Sequence, residues 1–348
     1  MQPLLLSIMN IAVLMGGHSA ERNVSFASGK AVAEALQGRG HSVIALDPAQ
    51  GAQGLINLAT FQPEAGREPS AAELAAFHPK SLVECVQSLH LSNIDVVFLA
   101  LHGKYGEDGY IQALLDIQGI RYTGSKMLSS TIAMSKLASK RIFQSSGIPT
   151  PAFITLSSAI IRENGVDYDL IDELRSELGE ALVMKPDGEG STVGITIVTN
   201  GDVDEIKRGI EEAARWGDIV LVEQFIAGRE LTVSVLGDET LPVIEIRTDT
   251  GFYDYAHKYT KGRTEYFCPA DLPPDVDDFV SQLALSAHEA LGCTAYSRID
   301  FRLNDELQAF CLEVNTLPGM TGTSLVPKSA AAAGIDFGEL CEKIIALS

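Results

Sequence analysis

The sequence predicts a protein of two or three domains that begins with an α/β domain built on a parallel sheet. A length of 348 residues favours this number of domains, at roughly 150 residues per domain. Hydrophobic residues make up 46% of the chain and charged residues 21%, as in ordinary globular proteins. Near the N-terminus, short apolar runs alternate with a helical segment, and this order is typical of parallel strands joined by crossover helices.

The charge balance and the cysteines exclude several classes of protein. The chain has 26 basic and 46 acidic residues, a net charge of −20, so it would repel a nucleic-acid backbone. An acidic protein can still bind a small polyanion if it concentrates its few lysines and arginines locally. The five cysteines form no C-x-x-C pair. This favours a reducing compartment with buried thiols over a disulfide scaffold or a zinc site.

The apolar N-terminus resembles a signal peptide only superficially. Residues 1–15 lack a basic start and a small-residue cleavage site and run into Gly16 and Gly17. We therefore interpret residues 10–15 as a first buried strand. Because no stretch approaches the ~18 apolar residues of a membrane span, we predict a soluble, cytoplasmic protein with no membrane partner.

Three strands are predicted within residues 1–124, the first domain. The strand at residues 10–15 is followed by a helix at 25–38, a strand at 41–45, a loop with a short helix at 50–79, and a strand at 94–101. The pair Gly16-Gly17 follows the first strand, and the pair His102-Gly103 follows the third. Parallel sheets bind ligands at this carboxyl edge, so the first domain is predicted to line a site.

The rest of the chain is predicted to contain helices and strands in a different order. Residues 248–269 have no clear period and the length of a functional lid. The remaining predicted elements are a helix at 127–146, strands at 181–185 and 193–198, a helix at 202–216, two strands within 220–235, a strand at 240–247, a helix at 275–291, strands at 295–303 and 307–315, and a helix from about 330.

The last two strands predict a metal site. Polar residues alternate with apolar ones in both strands, and the polar sets are Arg298, Asp300 and Arg302 in the first strand and Cys311, Glu313 and Asn315 in the second. A hairpin loop with an even number of residues puts both sets on the same face of the sheet. If the hairpin loop is residues 305–308, Asp300 lies opposite Glu313 with Cβ atoms about 5 Å apart. Two carboxylates so close repel unless a cation lies between them, and with an amide oxygen they suit magnesium. The solvent-facing side of a plain hairpin would show the same alternation.

Glycines and lysines predict a phosphate-binding element. Residues 185–194 join two strands through three glycines and two hydroxyl residues, whose N–H and O–H groups can approach phosphate oxygens. An ordinary β-turn explains this loop equally well. Lys185 ends an apolar strand, where a lysine must be exposed or paired with an anion, and Lys136 is a second candidate unless it is simply solvated. Glu223 and Glu230 could bind ribose or adenine, or be plain surface charges.

Segments along most of the chain, in order, resemble one family. They are GGHSAERNVS at residues 16–25, HGKYGEDG at 102–109, YTGS at 122–125, KPDGEGSTVG at 185–194, FYDY at 252–255 with Lys258 and Tyr259, RID at 298–300, LEVNTLPGMT at 312–321 and SLVPK at 324–328. The ordered set is similar to D-alanine–D-alanine ligase. This resemblance implies an ATP-grasp fold, in which two α+β lobes (125–222 and 223–348) clamp ATP and the N-terminal α/β domain completes the substrate site.

The resemblance also implies which residues bind the nucleotide and its metal ions. Lys136 and Lys185 would hold the α- and β-phosphates, and Glu223 and Glu230 the adenosine. Two magnesium or manganese ions would be held by three residues of the carboxylate hairpin: Asp300, Glu313 and Asn315.

A second set of residues is implied to bind the amino acids. Glu21 would bind the ammonium group of the first D-alanine in a network with Ser191 and Tyr259, and His102 would line the same pocket. Ser324, together with Tyr259, would contact the second D-alanine.

The resemblance assigns the remaining residues to the reaction itself. Lys258 would reach the γ-phosphate, and Arg298 and the Gly319 N–H would stabilise the oxyanion. The implied reaction joins two D-alanines through a D-alanyl phosphate, in an enzyme that is commonly a homodimer. Tyr259 fits a dipeptide ligase, because ester-forming relatives tend to carry Phe there. Two alternatives stay open: a ligase of the same fold with another acid, and a non-catalytic nucleotide or amino-acid sensor.

Overall fold

Three β-sheets organise the chain in the computed structural model, which describes residues 7–64, 67, 69–89, 93–190, 192–248 and 264–348. The first sheet has the order β3-β2-β1-β4, in which β1 is parallel to β2 and to β4, and β3 is antiparallel. The predicted α/β character of this region is therefore confirmed.

The first sheet and its helices follow the predicted order with additions. Strand β1 is buried almost throughout, as its apolar run indicated. The strand β3, the 3₁₀ helix and the helices α3 and α4 were not predicted. The elements are β1 (Asn10–Leu14), α1 (Arg22–Gly38), β2 (Ser42–Leu46), a 3₁₀ helix (Pro48–Gln53), β3 (Leu55–Ile56), α2 (Ala71–Ala75), α3 (Lys80–Leu89), β4 (Val96–Leu99) and α4 (Tyr110–Ile117).

The second sheet is antiparallel, with the order β5-β8-β6-β7. The predicted strand at 193–198 is shorter than expected, and the elements between residues 153 and 178 were not predicted. The elements are α5 (Met127–Met134), α6 (Lys136–Ser145), β5 (Phe153–Ser157), α7 (Ser158–Asn164), α8 (Tyr168–Leu178), β6 (Leu182–Pro186), β7 (Thr196–Val198), α9 (Val203–Ala213) and β8 (Ile219–Gln224).

The single helix predicted over residues 127–146 is wrong, because the chain breaks at Ser135. This residue has extended backbone angles (φ −85°, ψ 108°), and its hydroxyl accepts a hydrogen bond from the Ala138 N–H. The Asp187 carboxylate accepts a second one, 2.7 Å long, from the Leu137 N–H. Serine and aspartate side chains readily accept hydrogen bonds from the N–H groups at the start of a helix, which have no partner within the helix. Ser135 and Asp187 therefore favour a new helix start here over an uninterrupted helix. The break thus creates a helix N-terminus beside the glycine-rich loop.

The third sheet has the order β12-β11-β9-β13-β14, with β10 paired to β9, and all of its strand pairs are antiparallel. The elements are β9 (Arg229–Leu236), β10 (Glu239–Thr240), β11 (Ile244–Thr248), β12 (Thr264–Phe267), α10 (Pro274–Ala290), β13 (Tyr296–Leu303), β14 (Ala309–Asn315), α11 (Leu325–Ala332) and α12 (Phe337–Leu347). Two antiparallel sheets with flanking helices agree with the predicted α+β lobes.

Three predicted boundaries in this region are wrong. The strand at 240–247 is two strands, separated around Pro242, which has no N–H to donate to a strand pair. Residues 264–267 of the predicted loop form β12, and residues 249–263 lie outside the described residues. The C-terminal helix begins at Leu325 rather than near 330, and a second helix follows it.

The carboxylate hairpin has the predicted pairing but a different construction. Leu303 pairs with Ala309, so the loop has five residues instead of four, and a bulge next to Phe301 restores the pairing of Asp300 with Glu313. The bulge also turns Cys311 into the core, where it is fully buried. The prediction that Cys311 shares the polar face of Glu313 is therefore wrong, because the extra residue shifts the alternation by one.

The C-terminal helices complete the core of the first domain. Val326 and Ile344 belong to the same buried cluster as Ile11 of β1. The carboxylate of Glu342 contacts Arg39 at 2.6 Å and His41 at 3.2 Å. The two ends of the chain are thus joined by packing and by charge. Within the described residues, no helix is long and apolar enough to cross a membrane.

A buried histidine predicts acid sensitivity of the fold. Burial lowers the pKa of His288 from 6.5 to about 4, and its Nδ1 lies 2.7 Å from the Ser297 hydroxyl. Between these pH values the unfolded chain binds a proton that the native one does not, so stability falls as the pH drops. The loss amounts to about 3 kcal/mol by pH 4. His288→Asn should flatten the dependence of the thermal midpoint on pH between 7 and 4.5, whereas the exposed His78→Asn should not. An equally steep dependence in His288→Asn would contradict the assignment.

Candidate active site

A cleft open to solvent lies between the second and third sheets. Its apolar part includes Ile197, Phe225 and Leu312. This apolar part together with a few convergent charged groups is typical of a small-molecule site. Seven of the residues predicted to act in the site line it: Lys136, Lys185, Glu223, Glu230, Arg298, Asp300 and Glu313.

One buried carboxylate holds two lysines at one end of the cleft. Oε1 of Glu223 lies 2.8 Å from Lys185 Nζ and 3.2 Å from Lys140 Nζ, and Lys140 also donates to the Thr150 hydroxyl at 2.7 Å. Burial alone would raise the pKa of Glu223, but the two ammonium groups outweigh it and keep that pKa below its usual range. Burial lowers the pKa of Lys140 to about 8. Lys185, unlike Lys140, also lines the cleft.

Helix α6 and the glycine-rich loop hold each other in place. Lys136 opens α6 and donates to the Glu189 carbonyl at 2.7 Å, and its Nζ lies 3.4 Å from a Glu313 carboxylate oxygen. Asp187, at the start of the loop, accepts hydrogen bonds from the Ser135 hydroxyl and the Leu137 N–H. Lys136 is therefore fixed between the loop and the carboxylate hairpin, within reach of an anion in the cleft.

Asp300 is surrounded by donors from three strands. Arg298 binds it through two hydrogen bonds of 2.9 and 2.8 Å, and the Thr232 hydroxyl donates to it at 2.6 Å. The amide nitrogen of Asn315 lies 3.1 Å from its other oxygen. The hydroxyl and the guanidinium fix the direction of the carboxylate, which faces Glu313 across the hairpin.

The donor set of this hairpin fits a hard divalent cation. The three predicted ligands are two carboxylates and an amide, which offer oxygen atoms of the kind that magnesium prefers. Asp300 and Glu313 each contact a protein cation, Arg298 and Lys136 respectively. Within the part of the chain that the structure describes, no three His, Cys, Asp or Glu side chains cluster as a self-sufficient metal site. A metal here would thus take phosphate and water oxygens as its other ligands.

A second group of predicted residues lies where the first domain meets the glycine-rich loop. A Cβ atom on Gly103 would lie 3.1 Å from the Glu21 carboxylate, and one on Gly190 would lie 3.4 Å from it. His102 is buried, with Nδ1 3.3 Å from Glu107. Burial alone would lower the pKa of His102, but Glu107 and its neighbours raise it above the usual value. Glu21 and His102 are thus brought close to each other, beside the glycine-rich loop.

The turn after β14 brings Gly319 next to Ser324. A Cβ atom on Gly319 would lie 2.9 Å from the Ser324 hydroxyl, so only glycine fits without moving that serine. Leu325, the next residue, lines the cleft. Three predicted site residues, Ser191, Lys258 and Tyr259, lie outside the described residues.

Sequence reasoning missed three residues of the site. Lys140 follows Lys136 by four positions, so their shared helix face was a usable signal. Arg302, which lines the cleft and has a carboxylate oxygen of Glu230 at 3.4 Å, shares the predicted polar face of Asp300. Thr232 lies on another strand, 68 residues before Asp300, and no local pattern connects the two.

Two family models cover most of the chain. The model described as D-ala D-ala ligase N-terminus matches residues 10–125, and the one described as D-ala D-ala ligase C-terminus matches residues 142–346. The chain belongs to the D-alanine–D-alanine ligase family. A relative named D-alanine–D-alanine ligase, from Syntrophotalea carbinolica, is 43% identical over 336 residues, which is 97% of this chain and 95% of the relative.

Solved structures of this family have the same fold. The D-alanine–D-alanine ligase from Bacillus anthracis is 36% identical, with a TM-score of 0.76 over 97% of both chains. A structure of the Bacillus anthracis enzyme complexed with ATP is 33% identical, with a TM-score of 0.74 over 97% of both chains. The predicted ATP-grasp architecture is therefore confirmed.

The buried lysine pair predicts a large stability effect without any ligand. Lys140→Met should destabilise the protein by about 2 kcal/mol, because Glu223 then keeps only one of its two buried cations. Thermal unfolding of the purified protein would measure this, with the exposed Lys80→Met as control. In the Lys140→Met variant, Glu223→Gln should lower the free energy of unfolding by less than it does in the wild-type protein. Strictly additive effects of the two substitutions would contradict the pairing.

Proposed function

We propose that this protein joins two D-alanine molecules into D-alanyl-D-alanine at the expense of ATP, as its family does for peptidoglycan synthesis. The observation that carries the proposal is the pairing of Asp300 with Glu313 across the hairpin, in one cleft with Lys136 and Lys185. Paired carboxylates beside paired lysines suit a nucleoside triphosphate with its metal ions. A sensor that does no chemistry would not need the carboxylates to face each other.

The charged side chains of the cleft indicate how it would bind the nucleotide. Lys136 and Lys185 would hold the α- and β-phosphates, and Glu223 and Glu230 would accept hydrogen bonds from the adenosine. Glu223 also holds Lys185 in place, since their charged groups are 2.8 Å apart. Magnesium or manganese bound by Asp300, Glu313 and Asn315 would supply the charge neutralisation that phosphoryl transfer requires.

The substrate end would be built from the first domain and the turn after β14. Glu21 is assigned to the ammonium group of the first D-alanine, with Ser191 and Tyr259, and His102 to the same pocket. Ser324 would bind the second D-alanine. The short distance between Gly319 and Ser324 supports placing the oxyanion donor beside that second substrate.

The chemistry has two steps. The carboxylate of the first D-alanine attacks the γ-phosphate, which gives D-alanyl phosphate and ADP, with Lys258 near the transferred group. The amine of the second D-alanine, once deprotonated, attacks the acyl carbon and expels phosphate. Arg298 and the Gly319 N–H would stabilise the oxyanion of that second step, a role worth about 10²–10³ in rate for one donor in other enzymes.

Further features of the enzyme are part of the same proposal. The division into residues 1–124, 125–222 and 223–348 is supported by three sheets, one largely within each segment, with β8 continuing two residues past 222. A homodimer is proposed because it is common in the family. A cytoplasmic location is proposed because the reaction consumes ATP.

The function is tested by the dependence of ADP release on both D-alanine and magnesium. We expect D-alanyl-D-alanine and ADP in equal amounts, as measured by coupled assay and by mass spectrometry. A screen of other D- and L-amino acids would separate this activity from that of a ligase with another acid. ATP turnover that ignores D-alanine would overturn the substrate assignment.

The carboxylate hairpin is tested by metal affinity. Asp300→Asn should weaken binding of Mn²⁺ to the ADP complex at least about tenfold, because one anionic ligand is lost, which is about 1.4 kcal/mol. Electron paramagnetic resonance of free Mn²⁺ measures this directly. Asp305→Asn, at an exposed position of the same hairpin loop, is the matched control. Equal affinities in the two variants would contradict the assigned metal site.

A further inference from the structure

Helix α1 places a buried serine against the turn that carries Gly319. The Ser28 side chain is fully buried, and its Oγ accepts a hydrogen bond of 3.3 Å from the Met320 N–H. Met320 directly follows Gly319, although Ser28 precedes it by 292 residues. A serine of the first domain thus contacts the backbone next to the proposed oxyanion donor.

His102 extends this contact to the other side of the turn. Its Nε2 lies 3.2 Å from Ser28 Oγ, and its Nδ1 lies 3.1 Å from the Leu317 carbonyl. A carbonyl can only accept, so Nδ1 carries a hydrogen, and Nε2 shares a hydrogen bond with the Ser28 hydroxyl. Ser28 then accepts from Met320, and every group in the chain has a partner. Leu317 and Met320, on both sides of Gly319, are held at once.

Close packing of helix α1 against the end of β1 fixes the position of Ser28. A Cβ atom on Gly29 would lie 2.3 Å from the Cβ of Met15, so only glycine lets α1 lie this close to the end of β1. Leu317 and Met320 are themselves buried, in the same core cluster as β1. The serine, the histidine and the turn therefore form one rigid unit.

We propose that Ser28 is a positioning residue for the second step of the reaction. Through the Met320 N–H and through His102, it aims the Gly319 N–H at the oxyanion that forms when the amine attacks the acyl carbon. The inference rests on the role proposed above for Gly319. Ser28 bonds His102 and the turn rather than Lys136 or Lys185, which are assigned to the phosphates, so we expect the second step to be affected more than the first.

The experiment measures D-alanyl-D-alanine formed per ADP released, in the full-length protein with Mg²⁺, ATP and D-alanine. Ser28→Ala leaves the Met320 N–H without its acceptor and loosens the turn. We expect dipeptide formation to fall about tenfold, less than for loss of a whole oxyanion donor. ADP release should fall less, because D-alanyl phosphate that is not captured by the amine is hydrolysed to D-alanine and phosphate. The ratio should therefore drop at least twofold, while the Kd for ATP stays unchanged.

Ser25→Ala is the matched control. Ser25 lies on the same helix and is equally buried, but its hydroxyl bonds Gly16 and Ala100 of the first domain, each at 2.7 Å. Its loss should lower the thermal midpoint without changing the ratio. A purely structural role for Ser28 would lower dipeptide and ADP formation together and leave the ratio near one.

The outcomes separate the inference from the proposed function. A wild-type protein that makes no D-alanyl-D-alanine overturns the function and the inference with it. A wild-type protein that makes it, with an unchanged ratio in Ser28→Ala or an equal drop in Ser25→Ala, overturns the inference alone. Ser28→Cys, a similar size with a poorer acceptor, should give an intermediate ratio. If Ser28→Ala does not fold, the Ser28→Cys variant provides the test. A wild-type ratio in Ser28→Cys would overturn the inference.

Discussion

The opposition of Asp300 and Glu313 across one hairpin is the constraint around which the site is arranged. Two carboxylates on paired strand positions repel each other, so each must be held by a cation. Arg298 holds Asp300 through two hydrogen bonds, and Lys136 reaches Glu313 from the start of helix α6. Lys136 in turn holds the glycine-rich loop through the Glu189 carbonyl. The position of the loop therefore depends on the charge that the hairpin presents.

The pairing of Asp300 with Glu313 could be predicted from the alternation of the two strands, but the route to it was partly wrong. A four-residue loop and a five-residue loop with a bulge give the same partner at Asp300 and opposite orientations at Cys311. Alternation reports which residues share a face only while the pairing is regular, and a bulge has no clear signature in composition. The core strands were predictable because their apolar runs are continuous. The helix break at Ser135 depends on Asp187, a partner distant in sequence.

Two of the residues that escaped prediction have hydrogen-bond partners that are far away along the chain. Thr232 and Ser28 are ordinary buried hydroxyl residues by any local measure, and only the tertiary fold shows that they bond Asp300 and Met320. Local patterns report periodicity and turn chemistry, whereas hydrogen bonds between elements are set by packing. The family resemblance supplied the residues that would touch ligands. It gave no indication of those that hold these residues in position.

The charge of the cleft explains why an acidic protein can bind a polyanion there. Four basic and four acidic described side chains line the cleft, so this lining is formally neutral although the chain carries −20. Lys140, buried behind Glu223, adds one positive charge to that end. A triphosphate would still exceed this local positive charge, so its affinity has to come from cations that enter with it and from lysines already held in place. Because Glu223 fixes Lys185 before any ligand arrives, that lysine loses little side-chain entropy when a triphosphate binds. A formally neutral lining is therefore sufficient to bind a triphosphate that enters with its cations.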